Sequence, residues 1–154
     1  MTHYLEIADR AWQQRGLTNY LQFLENQEID TFLTVACPGA GKTRFSLAAM
    51  RMTLAQARAN LFVVVAPTET LRRQWAEEAQ QIGINLFHYS REELSDAVTD
   101  GLDTGANGIV TTFAQVERIA EVFEHFCMAF RVMVIIDEVH HCAEHLSWGD
   151  KLSI

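Results

Sequence analysis

Apolar positions along this chain fall into two periods. Over residues 3–29, Leu5, Trp12, Leu17, Leu21 and Leu24 recur among polar neighbours at helical spacing, which predicts an amphipathic helix. A short apolar run at residues 31–36 predicts a first strand, and residues 44–58 predict a helix. Along that helix Arg44, Arg51 and Arg58, each seven positions from the next, form a solvated stripe. Leu-Phe-Val-Val-Val-Ala at 61–66 shows no alternation, which suits a strand covered on both faces, and Pro67 stops it. Leu71, Trp75, Ala79 and Ile82 return to helical spacing over residues 69–82, ending at Gly83.

Residues 85–89 predict a short strand. Ser90-Arg91-Glu92-Glu93 is a capping box, in which serine and glutamate each satisfy a free N–H of the other, so a short helix runs from 91 to about 98. Residues 99–107, with Asp100, Gly101, Asp103 and Gly105, predict a surface loop. Residues 108–111 predict another strand, Thr112-Phe113-Ala114-Gln115 a second capping box for one helix to about 129, and residues 131–136 the last strand. Strands alternating with helices define a three-layer α/β/α fold with a mostly parallel sheet, whose strand C-terminal ends form the ligand edge.

Composition narrows the class. At 154 residues, 49% apolar and 21% charged, the chain has the make-up of a soluble globular domain. Its N-terminus carries acids and no apolar core of a secretory signal, and its longest apolar runs fall far short of the ~20 residues that cross a bilayer, so no membrane association is expected. Three cysteines, Cys37, Cys127 and Cys142, without a C-x-x-C pair argue against a disulfide framework and fit a reducing cytoplasm. The formal net charge of −8 makes the chain by itself a poor candidate for tight nucleic-acid binding, so any such grip must be local or come from further chain.

Candidate chemistry centres on Ala36-Cys37-Pro38-Gly39-Ala40-Gly41-Lys42-Thr43, between a predicted strand and a predicted helix. Gly39 and Gly41 let the backbone turn tightly, so that N–H groups point at a nucleotide phosphate at the positive end of the helix. Lys42 then reaches the β- and γ-phosphates, and the Thr43 hydroxyl holds Mg²⁺. Pro38, Gly39, Ala40, Gly41, Lys42, Thr43 and Arg44 are the candidate nucleotide-binding residues. A second signal, Val134-Ile135-Ile136-Asp137-Glu138-Val139-His140, places two carboxylates at the end of an apolar strand. Asp137 is the candidate Mg²⁺ ligand, and Glu138 the base that orients and deprotonates an attacking water. Zinc is not expected: His141 and His145 lie one helical turn apart, but the adjacent His140 and His141 diverge on a strand or a helix, and a zinc site needs three or four converging ligands. Cys37 has no histidine placed to activate it as a nucleophile.

Four ordered stretches resemble superfamily 2 helicases and translocases. The general phosphate-loop pattern has glycine where this chain has Ala36, and Ala-x-x-Gly-x-Gly-Lys-Thr is similar to motif I of that superfamily. Ala66-Pro67-Thr68-Glu69-Thr70-Leu71-Arg72-Arg73-Gln74-Trp75 resembles motif Ia, Thr111-Thr112-Phe113-Ala114-Gln115 motif Ib, and Asp-Glu-Val-His at 137–140 motif II. With Leu146-Ser147-Trp148-Gly149 they resemble the DExH and type III restriction-translocase branch, over about residues 10–149. Arg10-Ala11-Trp12-Gln13 is similar to the stretch before motif I in which the glutamine reads adenine.

That resemblance implies a RecA-like P-loop domain that binds ATP and Mg²⁺, with Arg10 and Gln13 on the nucleotide. It implies backbone contacts to DNA, or to RNA, from Pro67, Thr68, Arg72, Thr111 and Thr112, although Thr68 and Thr112 also suit helix caps and Trp75 suits a core. His140 would couple the nucleotide and nucleic-acid sides. The expected organisation is an N-terminal helical segment at 1–30 and a partial RecA-like domain at 31–154. Motif III, motifs IV to VI and a second RecA-like domain with its arginine fingers would lie outside this chain, leaving it inactive or weak by itself. In such sheets the motif III strand lies between those of motifs I and II, so a gap is expected beside residues 131–136. Two other readings stay open: a nucleotide-binding remnant or partner subunit without turnover, and another P-loop NTPase or kinase.

Overall fold

The computed structural model describes residues 6–26 and 30–139. It comprises two compact units that divide between Ala59 and Asn60.

The first unit holds α1 (Ala11–Glu25) and α2 (Lys42–Ala55). α1 buries Gln13, Leu17, Tyr20 and Leu24 along one stripe, and α2 buries Phe45, Leu47, Ala48, Ala49, Met50, Met52 and Thr53. Ring contacts join them: Trp12 stacks on Phe45 at 5.5 Å, and Phe32 meets Tyr20 edge-on at 5.1 Å. Such pairs contribute about 0.5–1.5 kcal/mol each beyond their buried area. These contacts bind α1 and residues 31–45 into one unit, whereas the motif pattern groups residues 1–30 apart from 31–154.

Residues 31–36 form no strand. Their exposure alternates as in one: Phe32, Thr34 and Ala36 are half-buried, whereas Leu33 is 70% and Val35 86% exposed. The residues are β-formers, but a strand exists only through hydrogen bonds to a neighbour. α2 also departs from expectation, stopping at Ala55 before Arg58. The expected arginine stripe is therefore broken, with Arg51 half-buried on the helix and Arg58 exposed beyond it.

The second unit is a parallel sheet with helices on both faces. Its strands are β1 (Leu61–Ala66), β2 (Leu86–Phe87), β3 (Gly108–Thr112) and β4 (Val132–Ile136), in the order β2-β3-β1-β4. All three pairings are parallel, with Val64 opposite Val110 on one side and Ile135 on the other. The helices are α3 (Glu69–Gln81), α4 (Arg91–Asp100), α5 (Phe113–Arg118) and α6 (Ala120–Ala129). The step from β1 to β2 runs across the sheet in one direction, and the steps to β3 and β4 run in the other. Right-handed crossovers therefore put α3 on one face and α4 to α6 on the opposite one.

Burial follows that geometry. Val63 and Val65 of β1 and Ile109 of β3 join Leu94, Phe113, Phe123 and Phe126 in one core cluster. The intervening Phe62, Val64 and Ala66 are equally buried on the other side. The unbroken apolar run of β1 is thus that of a strand covered twice. At Gly108 any side chain would collide with β1, because a Cβ there would lie 2.0 Å from the Phe62 carbonyl oxygen. Among the described residues β4 pairs with β1 alone, and Val134 is 42% exposed.

Helix caps follow the local signals with one exception. Thr68 Oγ1 accepts from the Leu71 N–H, and Ser90 with Glu93 forms the full reciprocal box. Thr112 caps α5 from its hydroxyl, at 3.4 Å from the Gln115 nitrogen. The Gln115 side chain does not close that box, because it turns to Thr111 and His88. The single helix expected to about 129 is two, broken at Ile119 (φ −117, ψ 20), whose side chain is buried in the core.

Candidate nucleotide site

In the first unit, the turn from residue 37 to 41 is built on two glycines in the left-handed region, Gly39 (φ 73) and Gly41 (φ 89). Gly41 is required twice over, since a Cβ there would also lie 2.7 Å from Gln13 Nε2. Gly41 is the N-cap of α2 and offers no side chain to its first turn. A 14-residue helix thus begins with its positive end uncapped by a side chain, as anion binding requires.

Three successive carbonyls of this turn are tied to the start of α1. Arg10 Nη1 donates to Gly39 O at 2.9 Å, Trp12 Nε1 to Ala40 O at 3.0 Å and Gln13 Nε2 to Gly41 O at 2.8 Å. Gln13 Oε1 in turn accepts from the Arg10 N–H at 2.9 Å. With its carbonyls held toward α1, the turn has its conformation set before any phosphate arrives. Gln13 is 1% exposed and both ends of its amide are engaged, so this conformation presents no Gln13 edge to a base. Trp12 carries no signal in the motif pattern; only its contact reveals it. Lys42 and Thr43 are half-buried in the first turn of α2, and Pro38 and Arg44 are exposed on either side.

In the second unit, Asp137 and Glu138 follow β4 directly. The Asp137 N–H donates to Val65 O at 3.0 Å, extending the β4–β1 ladder by one bond. Its Oδ2 accepts from Trp75 Nε1 at 2.9 Å. Hydrogen bonds to a charged group contribute about 1.5–3 kcal/mol. Oδ1 has no protein partner among the described residues, so the carboxylate keeps an oxygen for a cation. Glu138 sits at φ 54, an uncommon conformation for a glutamate and one that turns the chain sharply off the strand. Among the described residues no three His, Cys, Asp or Glu side chains cluster as metal ligands. His140, His141, Cys142, His145 and the 146–149 stretch lie outside the described residues.

The residues matched to motifs Ia and Ib gather at the C-terminal ends of β1 and β3. Thr68 and Thr112 are spent on helix caps, and Thr111 is buried with its hydroxyl donating to Gln115 Oε1. Pro67 is half-buried. Arg72 is clamped to Glu69, its Nε lying 2.9 Å from both carboxylate oxygens and Nη2 closing on Oε1. That guanidinium holds the Glu69 carboxyl below its usual range. Beside them is a groove of about 610 Å³ lined by Glu69, His88, Arg91, Thr112 and Arg118 among others. Arg91 and Arg118 are exposed and form no ion pair among the described residues, which leaves them the available cations of this edge. Each sits at a helix end, a placement the motif pattern does not flag.

A parallel sheet covered on both faces, a glycine turn at a bare helix N-terminus and an acidic pair at a strand end define a nucleotide-binding α/β domain. The family model described as "Type III restriction enzyme, res subunit" matches residues 6–152, and the chain belongs to that family, whose domain is helicase-like and ATP-binding. Among curated relatives, "Uncharacterized protein Rv2917" and "Uncharacterized protein MT2985" of Mycobacterium tuberculosis and "Uncharacterized protein ML1624" of Mycobacterium leprae are each 34% identical over 146 residues. The match covers 93% of this chain but only 22% of each relative's length. No solved structure matches the chain. Among the described residues no helix is long and apolar enough to cross a membrane.

Proposed function

We propose that this chain is the ATP-binding part of an ATP-dependent helicase or translocase acting on DNA, with RNA as the alternative track. The observation that carries this reading is the turn whose Gly39, Ala40 and Gly41 carbonyls are all fastened to α1, ahead of an uncapped helix that begins with Lys42. Preorganised N–H donors at a helix end are what a triphosphate needs, and a fixed turn avoids the cost of ordering on binding.

The residues present fit ATP and Mg²⁺, which this family normally uses. Magnesium, when bound, supplies positive charge against the β- and γ-phosphates. Thr43 offers a hydroxyl and Asp137 one carboxylate oxygen to hold it. Lys42 neutralises phosphate charge, and Glu138 is the base that orients a water and takes its proton. A second RecA-like domain with arginine fingers would complete the site, in keeping with the fraction of each relative that this chain spans. Arg91 and Arg118, beside the motif Ia and Ib turns, would hold a nucleic-acid backbone without reading its sequence.

The test is ATP binding and hydrolysis with Mg²⁺, with and without single-stranded DNA or RNA. Tight binding that Lys42→Ala abolishes, and turnover stimulated by nucleic acid that Glu138→Gln abolishes, are expected of the motor part. Binding without turnover, even when the rest of a full-length protein is present, would instead identify a nucleotide-binding remnant.

A further inference from the structure

The indole N–H of Trp75 donates to Oδ2 of Asp137 at 2.9 Å, across 62 residues of chain. Trp75 is 3% exposed in the middle of α3, the helix that packs on β1 and β3. An indole nitrogen only donates, so this ring neither competes for a cation nor takes a proton from the carboxylate. The Asp137 main chain is fixed separately by its bond to Val65 O. Asp137 is therefore held twice, by the sheet through its main chain and by α3 through Oδ2, and Oδ1 is the carboxylate oxygen without a protein partner among the described residues. A phenylalanine would fill most of the same space in the core but could not hold the carboxylate.

We propose that Trp75 is a positioning residue for the metal step: its indole occupies Oδ2 of Asp137 and so presents Oδ1 alone, in one orientation, to the magnesium of a bound nucleotide. The proposal rests on the nucleotide-site reading given above. Oriented ligands lose less freedom when a cation binds, and removing a partner that orients a metal ligand costs about 10–100-fold in metal affinity. Packing alone gives no reason for an effect confined to the metal.

Two measurements on the full 154-residue chain test this. Its three tryptophans give three indole N–H resonances in a ¹⁵N-labelled sample, and Trp75→Phe identifies one by its loss. In Asp137→Ala that resonance shifts while the Trp12 resonance stays in place; an unmoved Trp75 resonance overturns the contact and the proposal. A fluorescent ATP analogue is then titrated with Mg²⁺ against wild type, Trp75→Phe and Trp75→His. The expected result is a Mg²⁺ half-saturation raised about tenfold in Trp75→Phe, unchanged affinity for metal-free nucleotide, and partial rescue in Trp75→His, which retains a ring N–H. An unchanged half-saturation in Trp75→Phe, or equal loss with and without metal, overturns it. If the wild-type chain binds no nucleotide under either condition, the nucleotide-site reading itself falls, and this proposal with it.

Discussion

Gln13 donates from Nε2 to the carbonyl of Gly41 at 2.8 Å, across 28 residues, while Gly41 O also accepts from the Phe45 N–H at 3.1 Å. One buried amide therefore joins the start of α1 to the first turn of α2. Gln13→Ala leaves a buried gap and removes the bond across that junction along with the local bond from the Arg10 N–H, at a cost of about 1–3 kcal/mol. Because the damage is to the shape of the phosphate turn, affinity should fall by the same factor for ATP and GTP, measured by competition against a fluorescent nucleotide. A loss confined to ATP would show instead that Gln13 leaves its buried position to read adenine.

Gly108 faces the backbone of β1, where a Cβ would lie 2.0 Å from the Phe62 carbonyl oxygen. A backbone atom cannot swing aside as a side chain can, so Gly108→Ala must separate β3 from β1 at the centre of the sheet. We expect about 1–3 kcal/mol of destabilisation, typical of an overpacked interior, as a lower midpoint in chemical denaturation. An unchanged midpoint would mean that the register of Phe62 against Gly108 is wrong.

These two contacts show what a sequence of this kind discloses and what it withholds. Thr68, Ser90 and Thr112 were legible as caps because a hydroxyl and the N–H it serves lie three residues apart, within one local turn. β1 was legible because burial on both faces leaves an unbroken β-branched run. Residues 31–36 are also β-formers and yet form no strand, since a strand's identity lies in its neighbour. Ile119 interrupts a helix whose apolar period continues across it, so the break leaves no mark in the pattern of buried positions. The glycines and Lys42 announce the phosphate turn, yet the part played by Trp12 in holding it depends on a contact 28 residues away.

Tyr20 and Thr53 share a 2.6 Å hydrogen bond in the buried seam between α1 and α2. Thr53 Oγ1 also donates to Ala49 O at 2.8 Å, so the shared proton belongs to Tyr20. Burial raises the Tyr20 phenol above its ordinary value of 10.0. Folding thus favours the protonated phenol. Its contribution is complete below pH 10 and declines as pH rises toward the folded value. Wild type should lose stability above about pH 10 more steeply than Tyr20→Phe, followed by circular dichroism together with tyrosinate absorbance.

Cys37 lies exposed in the phosphate turn, whereas Cys127 is half-buried on α6. Burial pushes the Cys127 thiol up to about 11, so at pH 8 almost none of it is the reactive thiolate. Iodoacetamide should therefore label Cys37 well before Cys127, read by peptide mass mapping. If the turn receives phosphate as proposed, Mg²⁺-ATP should slow Cys37 labelling and leave Cys127 unchanged. Equal protection of both would indicate general tightening of the fold in place of a ligand at the turn.

Arg72 and Arg91 illustrate why a motif position and an available charge can part company. Arg72 lies in the stretch that resembles motif Ia but is paired with Glu69, while Arg91 and Arg118 stand exposed around the adjoining groove. Each arginine that displaces a counterion from single-stranded DNA contributes about 0.7 to the slope of log affinity against log salt. If the chain holds nucleic acid as proposed, Arg91→Ala and Arg118→Ala should each lower that slope by about that amount, in fluorescence anisotropy with a labelled oligonucleotide. Arg72→Ala should change it less, because its charge is already paired within the helix. Glu69→Gln releases Arg72 and should steepen the slope. If Arg72→Ala has the larger effect and Arg91→Ala and Arg118→Ala none, the backbone runs along the motif Ia helix and the groove is not its path.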